Sequence, residues 1–235
     1  MVFNHKPHGV YEKLIKRPLD VIMAVFVLVL FSWVYLIIAL LVRINLGGPV
    51  LFTQVRPGKD EKLINVYKFR TMTNETDQNG ELLPDEKRLT KFGKRLRSTS
   101  LDELPQIINI LKGDLSFVGP RPQLVRDMMF MTDEQRMRHS VAPGLTGLAQ
   151  VHGRNDISWE GKLSWDLKYI DNITFLGDLK IIFLTFYKAA KGSVELASKE
   201  VELTDDYGDY LLKSGLITKE WYDEKMNLAK EFVNK

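Results

Sequence analysis

Two carboxylates stand side by side at residues 102 and 103, in the stretch LDELPQ (residues 101–106). Like charges this close repel, so the pair needs a physical reason. One reason is capping: Ser100 and Glu103 match the S-x-x-E box, Asp102 can itself cap a helix, and Pro105 suits a first turn. Capping needs only one acid, however, and neighbours on a helix point roughly 100° apart. The second reason is chemical: Asp attacks phosphorus as a nucleophile while Glu helps hold a Mg²⁺ that neutralises phosphates. A helix N-terminus also favours an anionic phosphate beside it. The two readings are compatible.

Cations for such a site are spread along the chain: Lys68 and Arg70 in YKFRTM, Arg97 in RSTSLDELPQ and Arg121 in GPRP. Phosphoryl transfer through a loose transition state asks mainly for positioning and charge neutralisation. Taken singly, each arginine is a solvated or salt-bridged residue as readily as a phosphate ligand. No Walker A and no G-x-G-x-x-G occurs, so side chains and helix ends would grip the phosphates. The absence of cysteine excludes a disulfide framework, a zinc ribbon and a thiol nucleophile. His5, His8, His139 and His152 lack metal-ligand spacing and read as surface or structural residues.

Val21 to Val42 is a 22-residue run without a charge. As one helix it measures about 33 Å, enough for a hydrocarbon core. It is longer than the apolar part of a secretory signal and no small-residue cleavage site follows it. The segment belongs in a membrane. Charge is uneven around it: residues 1–100 carry 16 Lys/Arg against 9 Asp/Glu, residues 101–192 balance, and residues 193–235 carry 6 against 10. A basic region joined to an apolar run points to anionic headgroups or a phosphorylated substrate. No recognition motif supports nucleic acid as a partner.

The remaining pattern is α/β. GGPVLFTQVRPG and EKLINVYKFRTM read as strands joined at Pro57-Gly58, and residues 73–85 as a mobile loop. One helix is predicted over EKRLTKFGKRLRS, with Leu89, Phe92 and Leu96 on one face. The helix opening at the acid pair buries Leu104, Ile107, Ile108 and Leu111 and stops at Gly113. A strand in LSFVGPRP, a helix to about His139, and a turn and strand in VAPGLTGLAQV follow. Two amphipathic helices come next, ISWEGKLSWDLKYI and LGDLKIIFLTFYKAA, and the acidic tail carries one or two more.

Several stretches together carry a family resemblance: KRPLD before the apolar run, GGPVLFTQVRPG, VYKFRTM, LRSTSLDELPQIINILKGDLSFVGPRP, RHSVAPGLTGLAQVHGR and WDLKYI. In this order, from about Leu14 to Lys191, the chain resembles the bacterial sugar transferases, the monotopic phosphoglycosyl transferases. NGELLPDEKRL and GRNDISWE are most similar to the version acting in bacillosamine-type protein glycosylation. The resemblance implies Mg²⁺-dependent transfer of a sugar-1-phosphate from a UDP-sugar to polyprenyl (undecaprenyl) phosphate, releasing UMP. It implies that Asp102 is the nucleophile and forms a covalent phosphosugar, and that Glu103 joins it at the metal. Lys68, Arg70 and Arg121 fall in the phosphate-binding motifs, and Asp166 and Tyr169 in a D-x-x-Y segment for substrate. The bland reading of that last pair is an exposed i,i+3 pair on a helix.

The implied architecture has three parts: an N-terminal segment and re-entrant membrane helix (1–45), a small mixed α/β catalytic domain with interfacial amphipathic helices (46–192), and an acidic tail (193–235). The implied location is the bacterial inner membrane, with the catalytic domain facing the cytoplasm. One departure stands out. The family's membrane helix usually bends at Ser-Pro, whereas here Trp33 follows Ser32, so a bend would rest on Ser32 bonding back to the Leu28 carbonyl. The tail lies outside the resemblance and is expected to serve stability or partner contacts rather than chemistry. Two rival functions are a metal-dependent glycosyltransferase releasing UDP, for which no D-x-D motif is present, and a non-enzymatic membrane scaffold.

Overall fold

A computed structural model describes residues 5–7, 9–153, 157–195 and 205–234. The apolar run folds as two helices rather than one. A π-helical turn, Tyr11–Ile15, leads into α1 (Lys16–Leu30), and α2 (Ser32–Leu46) leaves at 64° to it. Among the described residues no single helix is long and apolar enough to cross a membrane, but the bent pair together passes that test. The break needs no proline. Phe31 leaves the helical region (φ −105°, ψ 14°), and Ser32 Oγ donates to the Val29 carbonyl at 3.0 Å, one residue short of the expected Leu28. Such back-bonding hydroxyls bend helices.

Both helices pack on the remainder of the protein. Ala24, fully buried, lets α1 lie close to Ile107, Ile110 and Leu115, while Ile38 and Val42 of α2 meet Phe69 and Leu96. Polar ties fix the ends. Arg17 donates to the Ile110 and Leu111 carbonyls, Asp20 accepts from the Phe117 amide at 3.2 Å, and Tyr35 donates to the Leu104 carbonyl at 2.9 Å.

β1 (Leu51–Pro57) and β2 (Leu63–Phe69) form an antiparallel hairpin with Leu51 opposite Phe69 and Pro57 opposite Leu63. Its turn occupies residues 58–62, just beyond the expected Pro-Gly position. The polar stretch after it is a folded excursion rather than an open loop: Asp77 Oδ1 accepts from the amides of Asn79 and Glu81, and Thr76 bridges to Leu82. The helix expected over residues 86–98 is two, α3 (Asp85–Arg88) and α4 (Lys91–Ser98). Leu89 pairs with Met72 instead, and Thr90 caps α4 by accepting from the Gly93 amide at 3.0 Å. Gly93 is obligatory by close approach, since a Cβ there would lie 1.8 Å from the Thr71 carbonyl oxygen.

A 3-10 turn (Leu101–Glu103) precedes α5 (Gln106–Lys112), which stops at Gly113 (φ 92°) as the sequence predicts. β3 (Ser116–Val118) runs parallel to β4 (Gly144–Thr146). The single helix expected between them is α6 (Val125–Phe130), α7 (Asp133–Arg136) and a 3-10 turn, because Thr132 and Gln135 form a reciprocal capping box that restarts the chain. After β4 comes a short helix, α8 (Leu148–His152). The two expected amphipathic helices are α9 (Trp159–Asp171) and α10 (Phe175–Glu195), and the tail, expected to carry one or two helices, carries α11 (Tyr207–Lys213) and α12 (Lys219–Val233) among the described residues. The last two are not a detached tail. Tyr207 and Leu211 pack with Phe130, Met131, Trp159 and Leu163, and buried Asp127 accepts from the Tyr207 amide at 2.9 Å.

Candidate active site

The acid pair sits on the 3-10 turn between α4 and α5, and the capping box is not made. Ser100 adopts the left-handed region (φ 57°) and its side chain caps nothing. Such a conformation in a non-glycine residue is strained and is frequent at functional sites. The turn sends the two acids to different surroundings. Glu103 Oε1 accepts from Lys68 Nζ at 2.9 Å and from Arg121 Nη2 at 2.7 Å. Burial alone would raise its pKa, but Arg121 and Lys68 hold it well below the usual carboxylate range. Burial lowers the pKa of Lys68, with Glu103 opposing that shift.

Asp102 is 7% exposed, and no described residue donates a hydrogen bond to its carboxylate. Burial and the Glu103 charge push its pKa up to about 6, against the pull of Lys68, Arg97 and Arg121. Arg97 is anchored by Nε donating to Thr71 Oγ1 at 2.9 Å and acts on Asp102 by charge. The pair is therefore asymmetric. One carboxylate is locked as an anion between two cations, and the other makes no hydrogen bond or ion pair with any described residue.

Lys68, Arg97 and Arg121 thus converge on the dyad from β2, α4 and the turn after β3. Arg70 does not join them. Its guanidinium is buried and donates to the carbonyls of Leu46 and Gly48, closing the C-terminal end of α2. Where a phosphate contact was expected, Arg70 instead clamps the end of α2 to the hairpin. The Arg70 amide still donates to the Val50 carbonyl at 2.9 Å, and it is the open carbonyls of Leu46 and Gly48 that draw the guanidinium away from Lys68.

Asp166 and Tyr169 are 2% and 4% exposed, so the exposed-pair reading fails. Both act on the strand and turn that carry Arg121. Asp166 Oδ2 accepts from Arg138 Nε and Nη2 at 2.9 and 2.6 Å, and the same Nη2 donates to the Arg121 carbonyl at 2.6 Å. Tyr169 Oη lies 3.1 Å from the Val118 carbonyl oxygen and 2.9 Å from Asp178 Oδ1, so its one proton is shared between two acceptors. Two cations escaped the sequence reading. Arg138 lies in the RHSVAPG motif, and Arg56, whose pKa is lowered to about 10 by burial and Arg121, feels the Glu103 and Asp127 charges. Position within those motifs was the only signal for either.

Among the described residues no group of three or more His, Asp and Glu side chains is placed to hold a metal. Two carboxylates suffice for Mg²⁺, which is normally held by one or two of them together with substrate phosphates and water. Glu103 takes both cations on Oε1, leaving Oε2 and the Asp102 carboxylate as hard oxygen donors. The donor set fits that ion.

Residues 11–192 match the family described as bacterial sugar transferase. A Bacillus subtilis (strain 168) protein named uncharacterized sugar transferase EpsL is 52% identical over 175 residues, covering 74% of this chain and 87% of the relative. The UDP-glucose:undecaprenyl-phosphate glucose-1-phosphate transferase of Klebsiella pneumoniae is 44% identical over 197 residues, which is 80% of this chain but 42% of that protein. Exopolysaccharide production protein PSS of Rhizobium leguminosarum bv. phaseoli is 37% identical over 188 residues, 74% of this chain and 94% of the relative. This chain thus spans most of the first and third relatives and less than half of the second. Its dyad, three converging cations and D-x-x-Y segment all fall within the matched residues, and the chain belongs to the bacterial sugar transferase family.

Proposed function

We propose that the enzyme transfers a sugar-1-phosphate from a UDP-sugar to polyprenyl phosphate and releases UMP. The observation that carries the reading is the asymmetry of the dyad: an unpaired Asp102 carboxylate beside a Glu103 fixed by Lys68 and Arg121. A carboxylate oxygen of Asp102 attacks the phosphorus that bears the sugar. The bond from that phosphorus to the bridging oxygen breaks, UMP leaves with the oxygen, and an aspartyl phosphosugar remains. An oxygen of polyprenyl phosphate then attacks the same phosphorus and expels the Asp102 carboxylate, giving a polyprenyl diphosphosugar. Arg97 and Arg121 offset the charge on the transferring group, and Lys68 keeps Glu103 in place. Mg²⁺, held by Glu103 and Asp102, would supply further neutralisation of the phosphates.

The bent helix pair supports a re-entrant anchor at the cytoplasmic face of a bacterial membrane, where a soluble nucleotide sugar and a lipid phosphate can meet. Relatives named for undecaprenyl-phosphate transfer and exopolysaccharide production favour glycan assembly as the setting; those names lend nothing to the narrower bacillosamine assignment. The test is incubation of purified protein with UDP-sugar labelled in the sugar and no acceptor lipid. Label should stay on the wild-type chain and not on Asp102→Asn, with UMP released and turnover stopped by EDTA. Label retained by Asp102→Asn would move the nucleophile elsewhere, and release of UDP would replace this reading with simple glycosyl transfer.

A further inference from the structure

Next to Arg121, on the side away from Lys68 in sequence and formed by later elements, lies a cavity of about 160 Å³. Its lining includes Gln123, Gln150, Lys162 and Asp166 from the matched domain. It also includes Asp205 and Asp206, which lie beyond residue 192, where the family match ends. We propose that this cavity receives the sugar ring of the donor, and that the segment at Asp205–Asp206 forms the wall that distinguishes one sugar from another. The inference rests on the phosphosugar-transfer reading above.

Size comes first. Pockets that enclose a whole drug-sized ligand measure roughly 300–1,000 Å³, so this one suits a single ring and not a complete nucleotide sugar. Position comes second. The phosphorus attacked by Asp102 is the one bonded to the sugar oxygen, so the ring must lie directly beside the phosphate site. Arg121 is common to both, since it contacts Glu103 and lines the cavity.

Polarity then separates a sugar from uracil. Gln150 Oε1 and Asp166 Oδ1 are buried without a hydrogen-bond partner. The Gln150 amide is oriented by Nε2 donating to the Leu145 carbonyl at 3.2 Å, which leaves the oxygen as the orphan. Asp166 is 2% exposed, with Oδ2 committed to Arg138. Unsatisfied buried acceptors are costly and ask for a donor. Uracil brings one N–H and two carbonyl acceptors, whereas a hexose brings several hydroxyls, each able to donate. The lining sets the donors Arg121, Lys162 and Gln123 beside the carboxylate of Asp205, and hydroxyls, which donate and accept at one atom, match such a mixture.

That segment is held in place independently of any ligand. The Asp205 carbonyl accepts from Trp159 Nε1 at 3.1 Å, Asp206 pairs with Arg126, and the Tyr207 amide bonds to Asp127. Among the described residues the Asp205 side chain, in contrast, meets surface Lys213 at 2.5 Å and no other group, a pairing of the kind that contributes little. It can turn to a ligand at small cost, and replacing it leaves the backbone anchor intact.

The test uses full-length protein in micelles with polyprenyl phosphate. It measures kcat/KM for UMP release from UDP-glucose, UDP-galactose and UDP-N-acetylglucosamine, with inhibition by UMP as the uridine control. Asp205→Asn and Gln150→Leu should each change the ratio of rates between at least two donors by about tenfold, the order expected from the net worth of one hydrogen bond. Inhibition by UMP should stay within about twofold of wild type. Both variants slowing all donors equally, or weakening UMP in step with the donors, would overturn the sugar assignment. Unchanged donor ratios with normal UMP release would remove the inference and leave the proposed function standing. A wild type that releases no UMP from any donor would remove both.

Discussion

Asp102 and Glu103 share a turn but are driven to opposite protonation behaviour, and this makes the assignment of their roles measurable without substrate. In the fold Asp102 binds its proton more tightly than in the unfolded chain, where its pKa is the ordinary 3.8. Between about pH 4 and pH 6 the native state therefore holds more protons, and stability falls as pH rises through that window. Above it the buried charge costs about 3 kcal/mol. Asp102→Asn should remove that cost, raising the melting temperature by a few degrees at pH 7.5 while abolishing turnover, with little difference at pH 4. Glu103 has the reverse sign: its stabilisation is present above the ordinary carboxylate pKa and disappears only at strongly acid pH. Glu103→Gln should lose about 1–3 kcal/mol at neutral pH, because Lys68 and Arg121 then face each other without a counter-charge. Calorimetry on both variants at two pH values decides it; a stabilised Glu103→Gln or a destabilised Asp102→Asn would reverse the two roles. In the same way, kcat/KM of the wild type should fall as pH drops below about 6 and Asp102 takes up its proton.

At the scale of elements, Lys68 and Arg70 show how two residues of one motif can part company. Lys68 reaches the dyad from inside β2, whereas Arg70, just past the strand, is drawn to the open carbonyls at the end of α2. Arg70→Gln should therefore lower stability by about 2 kcal/mol while leaving the KM for UDP-sugar near wild type. Lys68→Gln should raise KM or lower kcat by an order of magnitude or more. A raised donor KM with unchanged melting for Arg70→Gln would return that residue to the phosphate site.

The same contrast marks what the sequence could show. Apolar periodicity located α5, α9 and α10, Gly113 marked a helix stop, and the adjacent acids with three cations gave the dyad. The breaks at Thr90 and Thr132 were hidden because a capping threonine fits an amphipathic pattern as well as a terminus does. The roles of Asp166 and Arg138 were equally hidden, because their pairing spans 28 residues and acts through the backbone of Arg121. Local spacing reports residue types, and only the assembled turn after β3 assigns them.

On the scale of the whole molecule, the later helices and the bent apolar pair are both built into the body that carries the dyad. Tyr207 and Leu211 are buried against Phe130, Met131, Trp159 and Leu163, worth about 3–6 kcal/mol for the two side chains. Removing residues 196–235 should thus lower the melting temperature in micelles by roughly 10 °C, as expected of a segment that serves stability, and should also uncover the cavity beside Arg121 and so alter the choice of donor, which that expectation did not include. Identical melting of the two forms would show that the packing of Tyr207 and Leu211 contributes nothing to stability, and unchanged donor ratios would confine the segment to a structural role.

Topology follows from the opposite end of the chain. Helices α1 and α2 expose Phe26, Val29, Trp33, Leu36 and Leu40 to their surroundings, and α10 exposes Leu176, Phe183 and Phe186. Apolar patches of this kind mark contact with a membrane or a partner. Each 15-residue helix is only about 22 Å long, short of the ~30 Å hydrocarbon core. The start of α1 is tied to α5, β3 and α10 through Arg17, Asp20 and Lys16, and the end of α2 is tied to β2 through Arg70. Both ends of the bent pair thus hold the same body, and a helix that crossed the bilayer would have to tear one of them away. Both ends are therefore expected on the cytoplasmic side. The chain has no cysteine, so single ones can be placed at exposed Lys6 and Lys219. On intact cells a membrane-impermeant thiol reagent should label neither, and after permeabilisation it should label both. Labelling of Lys6→Cys alone from outside would mean that the pair spans, and that the ties between α1 and the catalytic body do not persist in the membrane.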